Sequence, residues 1–578
     1  MTPAEAALQA ELADWKPLIG VLSLYLIAVV LLVVFGRGKR SADPREIAKR
    51  ICDSLERLTK IPGWAAAMVG TATFGLLVAG IGFYSDVRWH VSLGRDDQLF
   101  TAPHTAIVVG LMTIFGSAFI GEFFATVTKA NVGLRIPKLG LRVPYSALAM
   151  GLIGLCALSG FPMDELWHRA YGIDVTMWSP THLLMIVGAS VSPLASWLAL
   201  GEAGVRPEVG RWATGVHMAV GSIALLGLSS VQGEFAFGVP QFQQLYHPVL
   251  YALAAGFGLT AIAMVVRRWW APLLVAGIGL LVGAGDQLAQ ADQSQPRSAS
   301  LYIVAGLAVA VVARIVGTKN RVRFAVASGV AVGTVGLAGE WAWSQGGHQA
   351  WGSPLMLEAV VYATVTGILS ALLAVAFAAA VRREPIGISA RTLAIAGLAL
   401  IVVLALPLPR RGLDATAAIE VTKRGDEAHL RVTVTPASAA TDARWFQTIA
   451  WQGAGFVSSQ MEPTGKPGVY ETSDPVPVTG NWKTMLRLHK GASMVAIPVW
   501  MPADAEIDAN EVPAVDKTAP FLTESRFLLR EQNGVEGPSW LALAIYLVLA
   551  GIAAAWILAL VAAGRSITRS ARSALAPA

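Results

Sequence analysis

Asp86, His90 and His104 recur at the same spacing as Asp164, His168 and His182. The segments DVRWHVSLGRDDQLFTAPH (86–104) and DELWHRAYGIDVTMWSPTH (164–182) align without a gap and share six of nineteen positions, all three candidate ligands among them. Two imidazoles and one carboxylate are three ligands for a first-row metal ion, with coordination positions left open. One ionisable residue beside hydrocarbon is ordinarily just tolerated. Keeping all three costly types in both copies points to metal binding.

Such a set must be positioned. If the helix before each motif continues past its aspartate, Asp86 and His90 lie one turn apart on one face, as do Asp164 and His168. Thr101 with Pro103, and Ser179 with Pro180, read as helix starts: a capping hydroxyl, then proline in the first turn. A returning helix would then carry His104 or His182 over the other two ligands. Asp96 or Asp174 could accept the second ring N–H of a ligating histidine and fix its tautomer. Trp89 and Trp167 either wall the sites against lipid or belong to an interfacial aromatic belt.

The rest of the chain says what carries these hairpins. Of 578 residues only 14% are charged, and the mean hydropathy is +0.56, the composition of a polytopic helical membrane protein. Thirteen spans are expected, starting near residues 17, 62, 104, 143, 181, 211, 248, 271, 300, 323, 354, 391 and 539. The first is preceded by the acidic AEAALQAELADW and is read as retained rather than as a signal peptide. If the spans alternate, roughly two dozen Lys and Arg in short loops face one side and about four the other, which makes the basic side cytoplasmic. The N-terminus and both motifs then lie outside and the C-terminus inside, in a cytoplasmic (inner) membrane of bacterial type. The pI near 9.3 reflects these anchoring charges, and no nucleic-acid partner is expected, since no basic patch is interleaved with aromatics.

Five regions follow: 1–61, a span and basic loop; 62–205, the two metal-site hairpins; 206–409, further spans; 410–537, an extracytoplasmic domain; and 538–578, the last span and a basic tail. Within 410–537, AAIEVTKRGDEAHLRVTVTP and NWKTMLRLHKGASMVAIPVWMP alternate apolar and polar residues, as strands of a β-sandwich do. The cysteines, Cys52 and Cys156, lie outside this domain, so no disulfide framework is offered.

Weaker echoes of the motif follow at later outward turns. Glu234 and His247 mark the third, Asp286 and Asp292 the fourth, and Glu340, His348 and Glu358 the fifth. Of these, Glu234, His247 and His348 are the further metal candidates, although a decayed repeat or ordinary helix-end polarity accounts for them more simply. His217 falls inside a span, as packing or a buried polar contact. His429 and His489 fall on expected strands, and His489 with Met494 offers an imidazole and a thioether that suit copper.

The two aligned segments resemble motifs in the C subunit of particulate methane and ammonia monooxygenases. The likeness lies in the Trp before the first His, the internal Asp and the Phe/Trp–Thr/Ser–Pro–His start of the next helix, and it covers about residues 60–205. In that family an Asp-x3-His pair ends one membrane helix, a further His opens the next, and these residues bind copper. Asp164 stands where the resemblance leads us to expect an amide, which makes that site more anionic and opens it to other ions. The chain is also far longer than that subunit. The outer domain, with VYETSDPVPVTGNWKTMLRL, resembles small periplasmic Ig-like domains of copper-handling and oxidase-assembly proteins.

Copper is therefore the leading ion, with iron and zinc as alternatives. An oxygen-activating, monooxygenase-like oxidoreductase is expected first. A non-enzymatic protein for copper acquisition, storage or delivery is the alternative, and an ion transporter comes third, because the acids cluster at the outer ends of spans. Expected partners are the lipid bilayer, further membrane subunits and a periplasmic copper carrier.

Overall fold

The structure is a computed structural model that describes residues 43–92, 100–171, 176–236, 242–289, 301–345, 352–406, 412–453, 455–505, 509–524 and 539–573, with Ser23, Leu26, Ile27 and Phe527. Asp96, Asp174, Asp292, His348 and most of the first expected span lie outside the described residues.

An amphipathic helix, α1 (Pro44–Thr59), capped by Asp43, leads into the bundle. Two hairpins follow: α2 (Gly63–Ser92) with α3 (Ala102–Val127), then α4 (Tyr145–Tyr171) with α5 (Pro180–Glu202). A short β-ribbon, β1 (Leu134–Ile136) and β2 (Leu141–Val143), links them at the end of the bundle remote from the motifs. Next come α6 (Arg211–Ser229), α7 (Tyr246–Val266), α8 (Ala271–Ala289), α9 (Ile303–Ile315), α10 (Arg321–Ala331), α11 (Leu337–Ser344), α12 (Met356–Val381) and α13 (Ala390–Ala405). A π-helical turn, Val332–Gly336, joins α10 to α11. The last helix, α14 (Ser539–Ser573), follows the β domain.

The expectation of thirteen spans is corrected. Nine helices among the described residues are long and apolar enough to cross a membrane, with α10, the π turn and α11 acting as one of them. The apolar stretches Ile303–Ile315 and Ala390–Ala405 are shorter. At 1.5 Å per residue, a helix of 13 to 16 residues rises about 20–24 Å, less than the ~30 Å of a hydrocarbon core. One apolar core runs through the bundle, from Met68, Ile114 and Ile153 to Trp197, Leu259 and Phe324.

The β domain has ten strands: β3 (Thr416–Arg424), β4 (Glu427–Thr435), β5 (Trp445–Gln452), β6 (Gly455–Pro463), β7 (Val469–Thr472), β8 (Val476–Pro477), β9 (Lys483–Lys490), β10 (Ser493–Trp500), β11 (Lys517–Pro520) and β12 (Leu522–Thr523). The expected two-sheet sandwich is closer to a barrel. One path of neighbours runs β11-β3-β4-β7-β6-β5-β9-β10-β12, because β6 pairs with both β5 and β7. Strands β3 and β4 alternate buried and exposed positions, as one-sided strands must. β5 and β9 are buried almost throughout. One face joins the domain core around Phe446, Leu486 and Leu488, the other a second cluster around Ile449, Trp451 and Met485.

This domain sits at the end of the bundle that carries both motifs. Arg444 donates to Gln243 Oε1 at 2.8 Å and pairs with Glu358 at the start of α12. Tyr546 of α14 donates to the Trp178 carbonyl at 3.0 Å, beside the second motif. Tyr246, opening α7, donates to the Leu404 carbonyl near the end of α13 at 2.8 Å.

Candidate metal centres

Helix α2 runs six residues beyond Asp86 and α4 seven beyond Asp164, so each Asp–His pair does occupy one helix face. Thr101 caps α3 by accepting from the His104 N–H at 3.4 Å, and Ser179 caps α5 by accepting from that of His182 at 3.3 Å. Proline stands in the first turn of both. The cap thus fixes the backbone of the residue that supplies the third ligand.

The returning helices come close because each hairpin has a glycine one turn before its aspartate. A Cβ on Gly82 would stand 2.7 Å from the Ile107 nitrogen and 2.8 Å from the Pro103 carbonyl oxygen. One on Gly160 would stand 2.6 Å from Met185 Cγ and 3.2 Å from the Thr181 carbonyl oxygen. Only a missing side chain allows this approach.

Both expected ligand sets come together. In each, one donor atom per residue lies within 4.8 Å of the other two. Asp86 Oδ1 is 3.0 Å from His104 Nε2 and 3.7 Å from His90 Nε2. Asp164 Oδ2 is 3.3 Å from both His168 Nε2 and His182 Nε2. Ligands held at about 2.0–2.2 Å by a common ion in octahedral to tetrahedral geometry stand about 3.0–3.4 Å apart. The side chains are between 14% and 34% exposed, so an ion could reach them from solution.

Two details test whether these residues suit a cation. Asp86 Oδ1 is buried and, despite its nearness to His104, makes no hydrogen bond of proper geometry. In the second set, His182 Nδ1 lies 3.1 Å from the Thr176 carbonyl oxygen, which can only accept. The Nδ1 proton is thereby fixed, and a neutral ring turns the Nε2 lone pair toward the Asp164 carboxylate. With that ring neutral, two lone pairs would face each other at 3.3 Å, an arrangement that a cation between them would stabilise. The residues fit a metal ion.

Further residues support the second set. Thr181 donates to Asp164 Oδ1, leaving Oδ2 to the histidines. Glu234 accepts from Thr176 Oγ1 and from the Met177 N–H, both at 2.9 Å, and so holds the turn that orients His182. Glu234 therefore serves the second site from outside its ligand set. Trp89 and Trp167 flank the first histidines and are half-buried. His217 is a packing histidine: Trp197 Nε1 donates to its Nδ1 at 2.9 Å, and its Nε2 reaches the Val205 carbonyl at 3.0 Å. His429 lies beside Thr472, Nδ1 to Oγ1 3.4 Å.

Sequence reading missed Gly82 and Gly160, although a signal was present. Gly82-Phe83 and Gly160-Phe161 extend the alignment four residues upstream in the same register. Thr181, which falls opposite Pro103, has no counterpart in the first copy.

Fold and site together define a many-helix protein, with nine helices among the described residues long and apolar enough to cross a membrane, two hairpin-borne Asp/His/His groups and a β domain at the same end. Compared with protein-family models, with curated proteins and with solved structures, the chain matches none.

Proposed function

We propose that the protein is an integral membrane metalloprotein. It binds one copper ion in each hairpin and uses them on oxygen and a small substrate, as the copper membrane monooxygenases that its motifs resemble do. The observation that carries this reading is the convergence of Asp86, His90 and His104, and of Asp164, His168 and His182, each set from a single hairpin. Copper is favoured because imidazole-rich sites bind it more tightly than zinc or iron. Bound there, it would supply one-electron and oxygen chemistry. The chain binds it through the six ligands, fixes the His182 tautomer through the Thr176 carbonyl and orients Asp164 through Thr181. The partial exposure of all six ligands favours, as a second reading, a protein that acquires copper and passes it to a carrier.

The test is elemental analysis of the full-length protein in mild detergent. Two equivalents of copper are expected. His90→Ala and His168→Ala should each lose one, and the double variant both. Unchanged copper in the double variant would overturn the assignment. Copper-dependent oxygen uptake, absent from the double variant, separates the enzyme from the carrier.

A further inference from the structure

The first two sites follow a rule: an imidazole that opens one helix meets a carboxylate from another. The bundle contains this meeting a third time, between elements far apart in sequence. His247 is the second residue of α7, and its Nε2 lies 3.3 Å from Glu340 Oε1 on α11. The Glu340 side chain is 1% exposed and that of His247 15%.

Several contacts hold the pair in place. Glu340 Oε2 accepts from the Leu301 N–H at 3.1 Å, which anchors the carboxylate by one oxygen. The other, Oε1, is buried and has no hydrogen bond, although His247 faces it. The His247 ring is stacked on Phe235, with centroids 6.0 Å apart and planes 12° from parallel. Phe235 directly follows Glu234, the residue that braces the second hairpin site. The π-helical turn Val332–Gly336 ends four residues before Glu340 and sets the register of its helix face. π turns inside helices recur at functional sites. Beside it, Tyr251, one turn after His247, approaches so closely that a Cβ on Gly336 would lie 3.0 Å from its hydroxyl.

We propose that Glu340 and His247 form a third metal site, for divalent cobalt or zinc, less exposed than the hairpin sites. The donor spacing equals that of Asp164 to either of its histidines, 3.3 Å in every case. Both oxygens of the carboxylate have a role: one is held by the backbone and the other faces the imidazole nitrogen. Glu340 brings the charge and His247 the nitrogen donor, and we assign this pair to cobalt or zinc. The inference stands apart from the copper reading, since it uses none of the six hairpin ligands.

The test uses the full-length His90→Ala/His168→Ala protein, in which the hairpin sites are disabled, titrated with Co2+ in mild detergent. One saturable equivalent is expected, with visible d–d absorption and a cobalt-induced rise in thermal midpoint. Adding Glu340→Gln, or separately His247→Gln, should abolish all three signals. In the otherwise native protein, Glu340→Gln should keep the two coppers of the hairpins, which reports an intact fold. Cobalt binding that survives Glu340→Gln overturns the proposal, as does a double variant that binds no cobalt. Failure of the copper reading would appear instead as unchanged copper in the double variant, a different measurement on different residues.

Discussion

The ring of His104 stands edge-on against Phe161, with 5.9 Å between centroids. Phe161 belongs to the second hairpin and lies three residues before Asp164. It also packs against Phe100, 5.7 Å away, so a residue of one hairpin walls the metal group of the other. Phe161→Leu should therefore weaken the first site about tenfold by freeing the His104 ring, a typical cost for a residue that orients a ligand. The second site should change less. Metal titrations of the variant in His168→Ala and in His90→Ala backgrounds read the two sites separately, and equal weakening of both would contradict this wall.

Gly82→Ala and Gly160→Ala test the close helix approach. Each added methyl meets the partner helix, and overpacking of this kind costs about 1–3 kcal/mol. Gly82→Ala should lose metal from the first site and spare the second, with Gly160→Ala doing the reverse. The effect of Gly82→Ala should be larger, because its Cβ meets backbone atoms at 2.7 and 2.8 Å, whereas the nearest atom to that of Gly160 is the movable Met185 side chain. Metal content per hairpin checks both, and full occupancy in Gly82→Ala would contradict the packing argument.

Orientation rests on the Lys and Arg asymmetry. In a background without Cys52 and Cys156, an impermeant thiol reagent applied from outside should label Asp426→Cys, in the exposed turn between β3 and β4. It should not label Lys138→Cys, in the exposed turn between β1 and β2. The opposite pattern would move both metal groups to the cytoplasmic side.

His489 predicts an acid response of the β domain. Its ring is buried, and its pKa falls to about 3, first through burial and then through Arg444 and Arg487. The folded state keeps the ring neutral where an unfolded chain would protonate it. Its contribution is therefore complete above the unfolded value, about 6.5, and is lost as pH falls toward the folded one. Between pH 6.5 and 4.5 the loss should reach about 2–3 kcal/mol. His489→Gln should be less stable near neutrality yet lose less on acidification, as followed by denaturant unfolding with tryptophan fluorescence. Parallel pH curves for the two proteins would rule this out.

Much of the hairpin chemistry was legible because a hairpin keeps all three ligands, the capping hydroxyls of Thr101 and Ser179 and the prolines in one local stretch. The Glu340–His247 pair was not. Each residue was singled out at a different outward turn, and only tertiary packing makes them neighbours. Glu234 was legible as an acid at a helix exit, but its partners Thr176 and Met177 depend on how α6 packs beside the second hairpin. Hydropathy found the segments Ile303–Ile315 and Ala390–Ala405 but could not fix their lengths, which depend on where the backbone turns. In the β domain, alternation exposed β3 and β4. It was blurred in β5 and β9, whose two faces are both covered.

Each hairpin carries its whole ligand set within nineteen consecutive residues, and this bears on the order in which the protein matures. Residues 86–104 and 164–182 are synthesised long before α11 or the β domain exists. On the proposed reading, either group could close around an ion once its own two helices are in the bilayer. The pairing of His247 with Glu340 must wait until α7 through α11 have been made and have met. On the proposed reading, metal-binding capacity would be acquired in stages that follow the direction of translation, with the β domain arriving over groups already formed.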